Sequence, residues 1–89
     1  MTIWKYELKL EPVQVLDVPR YANLLCLQMQ HGKPCLWFVV TPGNEKELRQ
    51  FQTYGTGTES PEIGMVYIGT YQIDEGQFVF HVFEKEIEK

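Results

Sequence analysis

Ala22-Asn23-Leu24-Leu25-Cys26-Leu27-Gln28-Met29-Gln30-His31-Gly32-Lys33-Pro34-Cys35-Leu36-Trp37-Phe38-Val39-Val40-Thr41 is the stretch on which the fold turns. Residues 22–30 and 35–41 read as two strands joined around His31-Gly32, because a glycine in the second position of a tight turn reaches the positive φ the turn demands. With those two residues as the loop, Gln30 faces Lys33, Gln28 faces Cys35 and Cys26 faces Trp37. The register sets the two cysteines on one sheet face but on a diagonal, about 7–8 Å apart, beyond easy disulfide reach. Both are read as small, reduced core residues. The run from Cys35 to Val40 is apolar on both faces, as in a central strand covered on each side or an oligomer interface.

Working outward, the same period-two alternation recurs, broken by Gly, Pro, Asn and Asp. In residues 2–10, Trp4, Tyr6, Leu8 and Leu10 point one way and Lys5, Glu7 and Lys9 the other, until Glu11-Pro12 closes the strand. A strand follows at 13–18, ended by Pro19, which cannot donate to a ladder. Residues 42–47 are a polar connection in which Asn44 and Glu47 are spaced to cap one short helical turn. A strand at 48–54 runs into the loop 55–62, and a last pair of strands spans 65–73 and 77–84 about Asp74-Glu75-Gly76. A two-residue loop there sets Thr70 opposite His81, a three-residue loop sets Gly69 there, and both stay open. Gly69 in mid-strand signals a bulge or a close backbone approach.

These segments predict an all-β domain, a small antiparallel barrel or sandwich of hairpins with six to seven strands over residues 1–84. Residues 85–89 read as a charged, solvated tail.

Composition narrows the function. The 89 residues are 44% apolar and 13% aromatic, enough for a packed core, and carry a formal charge of −4. Nucleic-acid backbones are gripped by clustered Lys and Arg, so neither DNA nor RNA is an expected partner. No run approaches the ~20 apolar residues of a membrane span, and no signal peptide opens the chain, so the expected location is cytoplasmic. The twelve large aromatics exceed what one small core holds, which points to a homo-oligomer or a ligand face.

Catalytic chemistry finds little purchase. His31 and His81 are too few and too far apart for a metal site, the cysteines lack C-x-x-C spacing, and no nucleophile elbow or Walker loop occurs. Neither enzyme activity nor a cofactor is expected. The best binding segment is Arg49-Gln50-Phe51-Gln52-Thr53-Tyr54-Gly55-Thr56-Gly57-Thr58, where glycines let backbone amides approach an anion and hydroxyls add donors. Without a following helix it lacks the dipole of true nucleotide loops, so it reads first as a plain strand-ending turn and second as a binding loop. His81, within Phe78-Val79-Phe80-His81-Val82-Phe83, reads first as a packed strand residue and second as a ligand contact.

Four segments, Met1-Thr2-Ile3-Trp4-Lys5-Tyr6-Glu7-Leu8, Gln28-Met29-Gln30-His31-Gly32-Lys33-Pro34-Cys35-Leu36-Trp37, Tyr54-Gly55-Thr56-Gly57 and Phe78-Val79-Phe80-His81-Val82-Phe83-Glu84, together resemble a family of short uncharacterised proteins encoded by bacteriophages and prophages. The resemblance spans nearly the whole chain and brings no catalytic residues. It implies a small accessory protein of the infected host's cytoplasm. The expectation drawn from it is an anti-defence protein that sequesters a nucleotide immune signal, of the cyclic dinucleotide or cyclic ADP-ribose type, between subunits. Trp37 or Tyr54 would stack, Arg49 or Lys5 would meet phosphate, and the Gly55-Thr56-Gly57-Thr58 amides would close the site, with His81 alongside. Two alternatives are an inhibitor that masks a host effector and a minor part of the phage particle.

Overall fold

The alternating segments form seven strands: β1 (Thr2–Glu7), β2 (Val13–Pro19), β3 (Asn23–Gln30), β4 (Lys33–Val40), β5 (Lys46–Gly55), β6 (Val66–Ile73) and β7 (Phe78–Lys85). A computed structural model describes residues 1–59 and 61–86. The strands make two antiparallel sheets, β1-β4-β3 and β2-β5-β7-β6, that face each other without closing into a barrel. The protein is an all-β sandwich.

Two of the pairings, β3 with β4 and β6 with β7, are hairpins. β1 instead crosses to β4 and β2 to β5, so the expected run of hairpins holds only in part. Alternation reports which face a residue occupies, and says nothing of which strand lies beside it. The doubly apolar β4 takes a neighbour on each edge, pairing Trp37 with Lys5 of β1 and with Cys26 of β3.

Both hairpin registers follow turn chemistry. His31 (φ 51°) and Gly32 (φ 77°) make a turn with two positive φ angles, and Gln30, Gln28 and Cys26 pair as its two-residue loop dictates. At the second hairpin Thr70 stands opposite His81, and a bulge between Tyr67 and Gly69 re-phases β6. Gly69 is a close approach as well: a Cβ there would lie 3.1 Å from Leu27 Cδ2 and 3.2 Å from Leu27 Cβ. Through this contact β3 of one sheet nests against β6 of the other.

Phe38, Leu36 and Val40 of β4 meet Val18, Phe51, Tyr71 and Val82 of the larger sheet in the buried layer, with Leu8 and Leu27 at its margins. The Phe38 and Phe51 rings meet edge to face at 6.5 Å, and Tyr6 packs on Phe38 at 5.3 Å. Removing either phenylalanine ring would cost about 3–5 kcal/mol.

Four sequence expectations are corrected. No helical turn forms at 42–47: Asn44 donates its side-chain amide to the Arg20 carbonyl (3.1 Å), its backbone N–H closes a turn on Thr41, and Glu47 is already in β5 opposite Val18. β1 stops at Glu7 rather than residue 10, since the Gln14 side chain takes both the N–H and the carbonyl of Lys9 at 2.9 Å and Leu10 turns to solvent. Cys26 is exposed on the outer face beside Trp37, so of the two free cysteines only Cys35 is buried. Lys85 pairs with Gln50 inside β7, so the domain runs past residue 84; the tail expectation for 87–89 falls outside the described residues.

Candidate functional site

Strand phase decides which side chains can form a site. On the larger sheet, Phe51, Val82, Tyr71 and Arg49 point inward, so Tyr54, His81 and Thr70, which share one cross-strand row, point outward. Tyr67 and Phe83 form the adjacent outward row with Gln52 and Val13. Phe83 lies between two tyrosines, edge to face with Tyr54 (5.7 Å) and with Tyr67 (5.4 Å). This aromatic trio is the floor of a cleft of about 270 Å³, walled by residues 55–59 and Pro61.

The wall is held by β7. Thr56 donates its backbone N–H to the Val79 carbonyl at 3.1 Å, and its hydroxyl lies 2.7 Å from His81 Nε2. The other imidazole nitrogen, Nδ1, lies 2.9 Å from Thr70 Oγ1, which is 2.5 Å from the Tyr67 hydroxyl. Imidazole and hydroxyls thus form one continuous chain, Tyr67–Thr70–His81–Thr56, beneath the cleft. Gly57, at φ 89°, lets the wall turn back, and the Thr58 hydroxyl and N–H both close on the Gly55 carbonyl.

The sequence-named residues divide sharply. Tyr54, Gly55, Thr56, Gly57, Thr58 and His81 all line this one cleft. Arg49, Lys5 and Trp37 do not. Arg49 faces inward, donating from Nε and Nη2 to the two Glu84 carboxylate oxygens (2.6 and 2.8 Å) and from Nη1 to the Ala22 carbonyl, with its guanidinium 5.1 Å above the Phe38 ring. That hydrogen bond to Glu84 raises the Arg49 pKa above its ordinary value, against the opposing effect of burial. Trp37 and Lys5 lie on the far side of the sandwich, where Lys5 donates across β4 to Gln30 at 2.7 Å. Arg49 therefore ties the two sheets together, away from the cleft.

The electrostatics of the cleft differ from the expectation accordingly. No Lys or Arg is among the described residues lining it, Glu59 is, and nearby Lys85 pairs with Glu62 at 3.4 Å. Two loop amides, those of Thr56 and Thr58, are already spent on Val79 and Gly55. What the cleft offers is aromatic surface, hydroxyls and one imidazole: chemistry for a ring with a polar edge rather than for a bare anion. Tyr67 and Phe83 were the contributions sequence reasoning missed. Both stood among the aromatics, but only the bulge at Ile68 sets Tyr67 in the outward row.

Fold and cleft define a small two-sheet β protein with one aromatic-floored recess on its larger sheet. The chain belongs to the DUF7352 family, a domain of unknown function whose family model matches residues 1–89. No curated protein and no solved structure matches it.

Proposed function

We propose that this protein is a non-catalytic binding protein that takes a nucleotide base-first into the cleft over Tyr54, Tyr67 and Phe83. The observation that carries the reading is convergence: His81, named separately and 23 positions beyond Thr58, lines one cleft with the five residues from Tyr54 to Thr58 of the sequence-named binding segment. Base stacking on an aromatic contributes about 1–3 kcal/mol. With one or two hydrogen bonds of about 1 kcal/mol each, a lone nucleoside would bind with a Kd near the millimolar end of the scale.

At about 270 Å³ the cleft is slightly smaller than the ~300–1,000 Å³ of drug-sized sites and holds one base and part of a sugar. A cyclic dinucleotide would seat one base per cleft and need a second copy of the chain for the other. The gain from two linked sites, about 10²–10⁴ over either alone, would favour such a ligand over a single nucleotide. In the phage setting that the sequence resemblance implies, the role is an anti-defence protein that removes a cyclic nucleotide signal. Calorimetric titration with cyclic dinucleotides and cyclic ADP-ribose-type ligands tests it. Binding lost in Tyr54→Ala and intact ligand recovered on heating support the reading; no heat from any ligand at about 1 mM defeats it.

One observation favours a second reading. Val13, Val15 and Leu48 stand about half exposed on the same outer face, beyond the cleft, an apolar strip suited to a protein surface. An inhibitor that masks a host effector would lose its partner on Val15→Glu and keep it on Tyr54→Ala, the reverse of the nucleotide reading.

A further inference from the structure

Resting on the base-first reading, we propose that the Tyr67–Thr70–His81–Thr56 chain selects the edge of the base, favouring rings that present an amino donor, as adenine and cytosine do, over their oxo counterparts. The chain has a direction. Thr56 Oγ1 lies within 3.5 Å of the Val79 carbonyl, which can only accept, so the hydroxyl proton has an internal destination there. Thr56 then accepts from His81 Nε2–H at 2.7 Å. A neutral imidazole that donates from Nε2 must accept at Nδ1, so Thr70 donates to it at 2.9 Å and accepts in turn from Tyr67.

In this arrangement every hydrogen in the chain is used inside the protein. The Tyr67 oxygen, exposed at the cleft, is left with lone pairs only. The opposite tautomer reverses each step and sends the Tyr67 proton out into the cleft, forfeiting the bond from Thr56 to Val79. The direction of the chain thus decides whether the ligand must donate or accept at Tyr67. A base stacked on Phe83, the cross-strand neighbour of Tyr67, brings its edge to that oxygen. An oxo group there would place two acceptors against each other, at a cost of about 1–3 kcal/mol, or roughly 5- to 150-fold in affinity.

Two measurements test this and separate it from the reading beneath it. Titrating the protein with adenosine and inosine, and with cytidine and uridine, is expected to show the amino member of each pair binding at least fivefold tighter. Equal affinities would overturn the edge selection while leaving base binding in place, whereas no binding by any of the four would defeat base binding itself. Nitrogen-15 NMR of His81 in the ligand-free protein reads the tautomer directly and needs no ligand. The Nε2–H tautomer is expected, and the Nδ1–H tautomer overturns the proposal. Thr70→Val, which breaks the chain, is expected to bring the affinities for adenosine and inosine to within about twofold of each other; an unchanged ratio would overturn the proposal.

Discussion

Arg49 in β5 and Glu84 in β7 meet inside the sandwich through two parallel hydrogen bonds of 2.6 and 2.8 Å, each side chain about one-fifth exposed. Replacing Arg49 with Leu would strip the largely buried Glu84 carboxylate of its partner and leave the Ala22 carbonyl without its donor. A loss of about 3 kcal/mol is expected in urea unfolding, the lower end of the range for broken buried pairs because some water reaches this one. The Arg49→Leu/Glu84→Leu double variant should recover most of the loss. Ligand affinity at the cleft should not change in either, which a phosphate-binding role for Arg49 would not allow.

The bulge at Ile68 makes Gly69 the point where the sheets touch. A methyl group at Gly69 would press on Leu27 Cδ2 at 3.1 Å and Cβ at 3.2 Å, and the Leu27 Cβ cannot rotate away. Gly69→Ala should destabilise the protein by about 1–3 kcal/mol and Gly69→Val by more, measured as a fall in the denaturation midpoint.

Tyr71 is buried in the core and its hydroxyl has no hydrogen-bond partner among the described residues. Tyr71→Phe should therefore raise stability by about 1 kcal/mol. Burial also raises the Tyr71 pKa above its ordinary value, and Tyr6 is raised by burial and then by the nearby Asp17 charge. For a group raised on folding, the stabilising contribution is complete below the unfolded pKa of about 10 and disappears as pH climbs through the folded value. Thermal melts above that pH should fall steeply in the native protein and less so in Tyr71→Phe.

Cys26 is open to solvent and Cys35 is not, although one sheet face carries both. A thiol reagent should titrate one cysteine quickly in the native state and the second only on unfolding, with Cys26→Ser removing the fast phase.

Much of this architecture was legible in the residues. His31-Gly32 set the first hairpin register because turn geometry is local, the second stayed open between two loop lengths until the structure placed Thr70 opposite His81, and Gly69 announced the bulge and the close contact through its missing side chain. The pairing of β1 with β4 and β2 with β5 was not legible, since alternation is blind to neighbours. Asn44 showed a cap's chemistry but spent it on the distant Arg20 carbonyl. In the candidate site, Tyr54 and the Gly55–Thr58 loop sit together because they are adjacent in sequence, whereas the inward pairing of Arg49 was not legible because its partner Glu84 lies 35 positions away.

The central claim is that ligand recognition belongs to the recess under residues 55–59, and amide NMR during titration with a cyclic dinucleotide tests it most directly. Shifts concentrated at Tyr54 to Thr58, Tyr67, His81 and Phe83 are the predicted result. Shifts centred on Trp37 and Lys5 across the sandwich, or none at saturating ligand, would contradict it.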